Sequence, residues 1–419
     1  MNRIILIGNG FDLAHGLDTR YSDFIDWFWK NQEENYNDNV TSTEEMGVFN
    51  KSNVFFKFQY MPIGQLSNGW LEECLKENKI VFRNKFLEVI TSKVGLKNWV
   101  DIEEEYNDLL HKTGTKYALY QNIDDLNKDF SMIKEELEKY LIKTTIQCDN
   151  KNPKPEIHNA IYSIFDLKDF TQVGIDNIVE EECQRLQQII EGKRFPSGNE
   201  HYLLKGLKDN KKPLKNEVIR ELLIDETNSF NPSFHLLPKQ ILFLNFNYTN
   251  TQSKYYGIPM TSREIDSVQK EIHIHGELGN QNNPIIFGYG DELADKYNEL
   301  QDKNDNRYLK NIKSIRYLET ANYKKLLDFI DSDKYQIFIM GHSCGNSDRT
   351  LLNTLFEHEN CVSVKPFYYQ YKDKKTDETK DDYSDKVMNI SRNFTDKKMM
   401  REKVVNKTYC KPLLSLKTK

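Results

Sequence analysis

Residues 3–7, Arg-Ile-Ile-Leu-Ile, form a short apolar run without strand-like alternation that ends in Gly8-Asn9-Gly10 and continues into Phe11-Asp12-Leu13-Ala14-His15-Gly16. A strand apolar on both faces belongs inside a parallel sheet, so the pattern predicts strand, glycine turn and helix in succession. Two more such runs follow, Gln240 to Asn247 and Gln336 to Met340, the second leading straight into Gly341-His-Ser-Cys-Gly345. Beyond that turn Asp348 is placed to cap a helix with the apolar face Leu351, Leu352, Leu355 and Phe356, and residues 362–369 read as the next strand. This is a strand-helix-strand crossover.

Between about residues 36 and 235 strand signals almost vanish. Trp99 to Leu110, Ile123 to Ile146 and Ile178 to Ile190 carry apolar residues at three and four spacing with Glu/Lys-rich faces, and these read as amphipathic helices. Residues 149–155 and 195–199 hold Pro, Gly, Asn and Asp and read as connections. The predicted architecture is α/β. A Rossmann-like parallel sheet is assembled from residues 1–35 and 236–370, a large helical insertion covers 36–235, and a charged segment covers 371–419, its stretch from Tyr371 to Lys386 read as an exposed excursion.

At 419 residues the chain is long enough for two or three domain-sized units. Lys and Arg total 58 against 64 Asp and Glu, a net charge of −6, so no overall basic field favours nucleic acid. The apolar runs are strand-sized, which sets aside secreted and membrane-spanning classes and leaves the cytoplasm as the expected location. Six cysteines are scattered with no Cys-x-x-Cys pair, as expected of free thiols in a reducing compartment.

Chemistry-bearing residues gather at the predicted strand ends, where open parallel sheets bind ligands. The Gly8–Asp12 turn either brings amides to a phosphate at a helix start or is a tight turn capped by Asp12. Asn245-Phe-Asn-Tyr-Thr249 ends a buried strand in side chains able to hold a ribose or a water, or to shape the turn. In Ile272-His-Ile-His-Gly-Glu277, strand alternation places His273 and His275 on one face beside Gly276, which permits close approach of a ligand. An imidazole is the natural general base here, and two could also ligate a metal. Residues 285–292 read as a short strand ending in a glycine loop with carboxylates, and Gly341 to Asp348 as a polar turn suited to anion or ribose contacts through its amides and Ser343. Gly341–Gly345 also fits a Gly-x-Ser-x-Gly nucleophile elbow, but only His358 follows it, in or just past the next helix and poorly located for a base. Asp101 and Glu103 in Asn98-Trp-Val-Asp-Ile-Glu103 read as surface charges on a core-facing helix.

In order along the chain, Ile5 to Gly16, Tyr21-Ser-Asp-Phe24, Trp99 to Glu103, Phe246 to Thr249, Ile274-His-Gly276, Phe287-Gly-Tyr-Gly-Asp291 and Gly341-His-Ser343 resemble the AbiH family of bacterial abortive-infection proteins. That resemblance implies phage defence in which the infected cell stops growing or dies. More remotely the same order is similar to the sirtuin-like NAD-consuming domains of bacterial immune effectors. The likeness implies a sirtuin-like fold that cleaves NAD+ to nicotinamide and ADP-ribose without a metal. Gly8 and Gly10 would then lie by the pyrophosphate, Asn247 would hold ribose or water, His275 would be the base, and Gly341, Ser343 and Asp348 would close the site. Asn9, Phe11, Asp12, His15, Asn245, Tyr248, Thr249 and Gly276 complete the expected nucleotide-contacting set. Asp12 stands where the sirtuin loop has a small polar residue, and Thr249 where it has Asp.

Two other readings use the same residues. A metal-dependent phosphoesterase or nuclease would draw on Asp12, His15, His273, His275, Asp291 and His342. A nucleotide-gated sensor would use the helical insertion to engage a phage or host protein, or another copy of the chain.

Overall fold

A computed structural model of the protein describes residues 1–41, 54–58, 70–97, 101–146, 152–193, 204–205, 215–224, 238–256, 268–290, 292–293, 295–373 and 375–416. Its centre is a five-stranded, all-parallel sheet. Strand β1 (Asn2–Ile7) lies in the middle, β4 (Gln240–Asn245) and β5 (Val268–His273) on one side, β6 (Tyr335–Met340) and β7 (Cys361–Phe367) on the other. Register on both sides of β1 is continuous, Ile4 facing Leu242 and Ile337, Leu6 facing Leu244 and Ile339, whereas β6 and β7 shift register at Tyr335/Gln336. The mixed α/β class and the parallel sheet match the expectation. The run at 285–287 does not join the sheet; it is extended chain whose Ile286 N–H donates to the His275 carbonyl at 2.7 Å.

Side-chain alternation explains why the central strands are apolar throughout. Ile4 and Leu6 point into one layer, packed on α12 (Asn322–Ser332) and α13 (Arg349–Glu357), while Ile5 and Ile7 point into the other, against α1 (Asn9–Ala14) and α7 (Pro155–Ile161). Each such side chain removed from water stabilises the fold by ~1.5–3 kcal/mol.

A separate core forms from α2 (Tyr21–Thr41), α3 (Trp70–Lys76), α4 (Lys85–Lys97), α5 (Ile102–Lys112) and α6 (Ile123–Ile146), with a small antiparallel pair, β2 (Phe56–Phe58) and β3 (Ile80–Phe82). The 21-residue helix α2 runs across residue 35. Residues 36–235 divide between cores. Helix α7 lies on the sheet, and α8 (Gln172–Ile190) packs with α9 (Asn216–Leu223) against Met1 and Phe165. The connection predicted at 195–199, together with Asn98, Trp99, Cys148 and Asp291, lies outside the described residues.

The stretch from 285 to 313, with its helix α10 (Asp295–Asp302), straps the helical core to the sheet. Phe287 stacks on Phe130 with centroids 4.7 Å apart and planes within 2°. Asn311 donates to Tyr106 Oη at 3.1 Å and to Asn127 Oδ1 at 3.2 Å. After β7 the chain forms a hairpin, β8 (Gln370–Lys372) with β9 (Thr379–Asp381), then α14 (Tyr383–Arg392) and α15 (Lys397–Lys403). Ile390 and Phe394 are fully buried, so this charged segment folds onto the sheet layer although its hairpin is largely exposed. Among the described residues no helix is long and apolar enough to cross a membrane, and Cys74, Cys183, Cys344, Cys361 and Cys410 are free thiols.

Candidate functional site

The chain leaves β1 toward β4 and leaves β6 toward β7, so connections diverge between β1 and β6. In an open parallel sheet that divergence makes a crevice at the carboxyl ends. A cavity of about 830 Å³ opens there, walled by Gly8–Gly10, Asp12, Phe246–Thr249, His275, Gly341–Ser343 and Asp348 from the sheet, and by Asp101, Glu103, Leu137 and Leu141 from the helical core. Its size lies toward the upper end of ordinary ligand pockets.

Asp348 organises the floor. It occupies the N-cap position of α13, yet its side chain does not cap the helix as its place in the sequence predicts. It turns instead to Lys313, whose Nζ lies 2.9 Å from Oδ1, and to His275 Nε2, 3.2 Å from the same oxygen. His342 Nε2 lies 3.4 Å from Oδ2. The His342 tautomer follows from its other nitrogen: Nδ1 accepts the Cys344 N–H at 2.9 Å, so Nε2 carries the proton. Despite burial, the charge of Lys313 and the contacts from His275 and His342 hold Asp348 well below the usual carboxylate range.

His275 is 4% exposed. Burial, reinforced by the charge of Lys313, pushes its pKa down to about 4 against the opposing pull of Asp348, so the ring is neutral at pH 7. Its Nε2 is held by Tyr317 Oη at 3.1 Å and by the Asp348 carboxylate. A carboxylate beside Nε2 favours the proton there, which leaves the lone pair on Nδ1.

Lys313 and Glu103 escaped the sequence reading. Lys313 is wholly buried at the start of α11 (Lys313–Arg316), and its Nζ lies 2.7 Å from Glu103 Oε2. Glu103 enters from the first turn of α5, which Asp101 caps by accepting the Glu103 and Glu104 N–H groups at 3.1 Å each. Asp101 and Glu103 are therefore wall residues of the cavity and not surface charges. Burial raises Glu103 to about 8, against the neighbouring Lys313 charge and with the repulsion of Asp348. The Trp99–Glu103 motif was the available signal for Glu103; Lys313 and Tyr317 had none, since a lone Lys or Tyr at a helix start is ordinarily solvated.

Asn247 donates from Nδ2 to the Gly8 carbonyl at 3.0 Å, and its side-chain oxygen bonds none of the described residues. Asp12 sits inside α1, with Gly8 and not Asp12 at the N-cap position, and accepts the Thr249 hydroxyl at 2.6 Å. Burial raises Asp12 to about 6 against that hydrogen bond. The glycine turns interlock: Gly10 N–H donates to the Gly341 carbonyl at 2.8 Å, and a Cβ on Gly10 would stand 2.8 Å from that oxygen. Phe11 N–H donates to the Gly8 carbonyl at 2.8 Å, so two amides at the start of α1 already have protein partners.

Phe11, His15, Asn245 and Gly276 are not on the cavity wall. Phe11 packs in the sheet layer. His15 Nδ1 is 2.7 Å from the Phe11 carbonyl and Nε2 2.6 Å from Tyr255 Oη, a closed structural pairing. Asn245 shapes its turn, donating to the Thr249 carbonyl and Gln252 Oε1 and accepting the Asn247 N–H, all at 2.8 Å. Gly276 (φ +86°) admits a backbone, not a ligand: a Cβ there would meet the Pro284 carbonyl at 2.2 Å. His273 and His275 also part company, because β5 ends at His273 and the following turn carries His275 away. His273 turns to Glu271 and Gln252, 2.6 and 2.8 Å from its Nε2.

Among the described residues no group of three or more His, Cys, Asp or Glu side chains is placed to hold a metal ion. His358 pairs with Asp331 at 3.0 Å and does not line the cavity, so it is not an elbow base for Ser343.

Fold and site together define a parallel α/β protein with a buried histidine–carboxylate centre at the switch point of its sheet. The family model described as bacteriophage abortive infection AbiH matches residues 4–370, well over half of the chain, and the protein belongs to that family. Membership implies abortive-infection defence against phage. No curated protein and no solved structure matches the chain.

Proposed function

We propose that the protein acts in abortive infection by hydrolysing NAD+ to nicotinamide and ADP-ribose, with His275 as general base. The observation that supports this most is a buried His275 on the wall of a nucleotide-sized cavity, its Nε2 3.2 Å from Asp348. Water would sit between His275 Nδ1 and the side-chain oxygen of Asn247. As the bond between ribose C1′ and the pyridinium nitrogen breaks, its electron pair passes to that nitrogen and nicotinamide leaves neutral. The water oxygen bonds C1′, and its proton passes to His275 Nδ1 and on to solvent, giving ADP-ribose. Asp348 stabilises the transient imidazolium, and its negative charge suits the positive charge that develops on the ribose.

Nicotinamide release by the purified protein tests the proposal. His275→Ala should lower the rate by a factor on the order of 10²–10⁴, the usual contribution of a general base. Asn247→Ala should lower it with little change in fold, since that side chain is part-buried at the wall. Full NAD+ loss in both variants would overturn the assignment.

A further inference from the structure

We infer that Tyr369 is the stacking platform for the base of the bound nucleotide; the inference rests on the nucleotide reading above. Tyr369 follows β7, at the sheet edge opposite β5, and lines the cavity. The residue is nevertheless 64% exposed. The ring is held from behind: Tyr371 stacks on it with centroids 5.8 Å apart and planes within 16°. Its backbone is pinned as well, the Tyr369 N–H donating to Asp382 Oδ1 and the Asp382 N–H returning to the Tyr369 carbonyl at 3.1 Å. A largely exposed aromatic ring backed by a second ring is preorganised to stack a planar ring.

The surroundings favour the base over the rest of a nucleotide. Asp382 and Asp385 line the cavity at this rim, and like charge disfavours a phosphate beside them. Lys386, the nearby cation, is 3.5 Å from Asp382 Oδ2. Gln370 brings both a donor and an acceptor able to read the edge of a heterocycle, while Leu413 and Leu414 add apolar wall. Most of these residues lie beyond residue 370, where the family match ends. The C-terminal segment thus supplies the part of the pocket that selects the base.

AMP and ribose 5-phosphate separate the base from the rest of the ligand. Calorimetry on the full chain should show AMP binding about tenfold or more tighter than ribose 5-phosphate, as base–aromatic stacking predicts. Tyr369→Ala should abolish that preference and Tyr369→Phe should keep it, both with unchanged thermal unfolding because the ring is exposed. A preference retained in Tyr369→Ala would overturn this inference while leaving the nucleotide reading intact. A wild-type protein that binds neither AMP nor NAD+ would overturn both.

Discussion

Two buried charge networks sit on the same sheet and differ in kind. In the first, Arg3 donates to the Ile161 carbonyl at 2.9 Å and to the Ser163 carbonyl at 2.6 Å and meets Gln336, which reaches Asp169 at 3.0 Å; Lys365 closes on Asp169 at 2.7 Å. The guanidinium lies over the Phe338 ring, 4.2 Å from its centroid. None of these side chains lines the strand-end cavity. The second network, Glu103–Lys313–Asp348–His275, is as deeply buried, yet each of its members is on the cavity wall, and among the described residues the polar partners of the His275 ring, Tyr317 and Asp348, are both on Nε2. Burial of charge alone therefore marks nothing about function. Access and spare bonding capacity distinguish a site from a strut.

Asp348→Asn is expected to break the site most severely. It removes the charge that fixes the His275 tautomer and should lower nicotinamide release by a factor on the order of 10²–10⁴, measured on folded protein at pH 7. Asp169→Ala, the matching change in the other network, should leave turnover per folded molecule unchanged but cost about 3–5 kcal/mol of stability, because Lys365 is left buried without its partner. Denaturant unfolding reads that loss, and a large fall in specific activity would erase the distinction drawn between the networks.

Asp12→Asn should act in the opposite direction on stability. The native state holds the Asp12 proton up to about pH 6, above the ordinary 3.8, so folding stability falls as pH rises between those values. The amide carries no charge to bury and still accepts from Thr249. A gain of roughly 2–3 kcal/mol at pH 8, vanishing below about pH 3, is expected in unfolding experiments. The smallest effect is on pH dependence. His275 is an active base while neutral, so turnover should stay level as pH falls and decline only near 4. Lys313→Met removes a charge that lowers His275 and should move this acid limb upward, while Asp348 raises and His342 lowers the same imidazole in both proteins. A limb that stays in place would show that Lys313 has no electrostatic hold on His275.

How much was legible depended on how local the determining interactions are. Three of the five sheet strands showed as apolar runs because a strand buried on both faces excludes water from both, β7 was read as the strand that follows although Ser363 and Lys365 interrupt it, and α6 showed its full span through helical spacing. The histidine motif was legible as chemistry but not as geometry. Alternation grouped His273 with His275, whereas the strand stops at His273 and sends the two rings to different partners. Asp348 read as a helix cap because its neighbours in sequence offered nothing stronger than the helix start.

The amino-acid sequence by itself determined the parallel strands, the amphipathic helices, the glycine turns at the strand ends and the family motifs, all of which depend on residues within a few positions of one another. Tertiary structure alone decided which of the polar side chains converge. Lys313 meets Glu103 across 210 positions of chain and Asp348 across 35, contacts created by the packing of Phe287 on Phe130 and of α5 in the same helical core, and no local periodicity records them. The same packing removes water from the site, and it is this desolvation, acting first among the causes on His275, Glu103 and Asp12 alike, that gives ordinary titratable side chains their altered protonation.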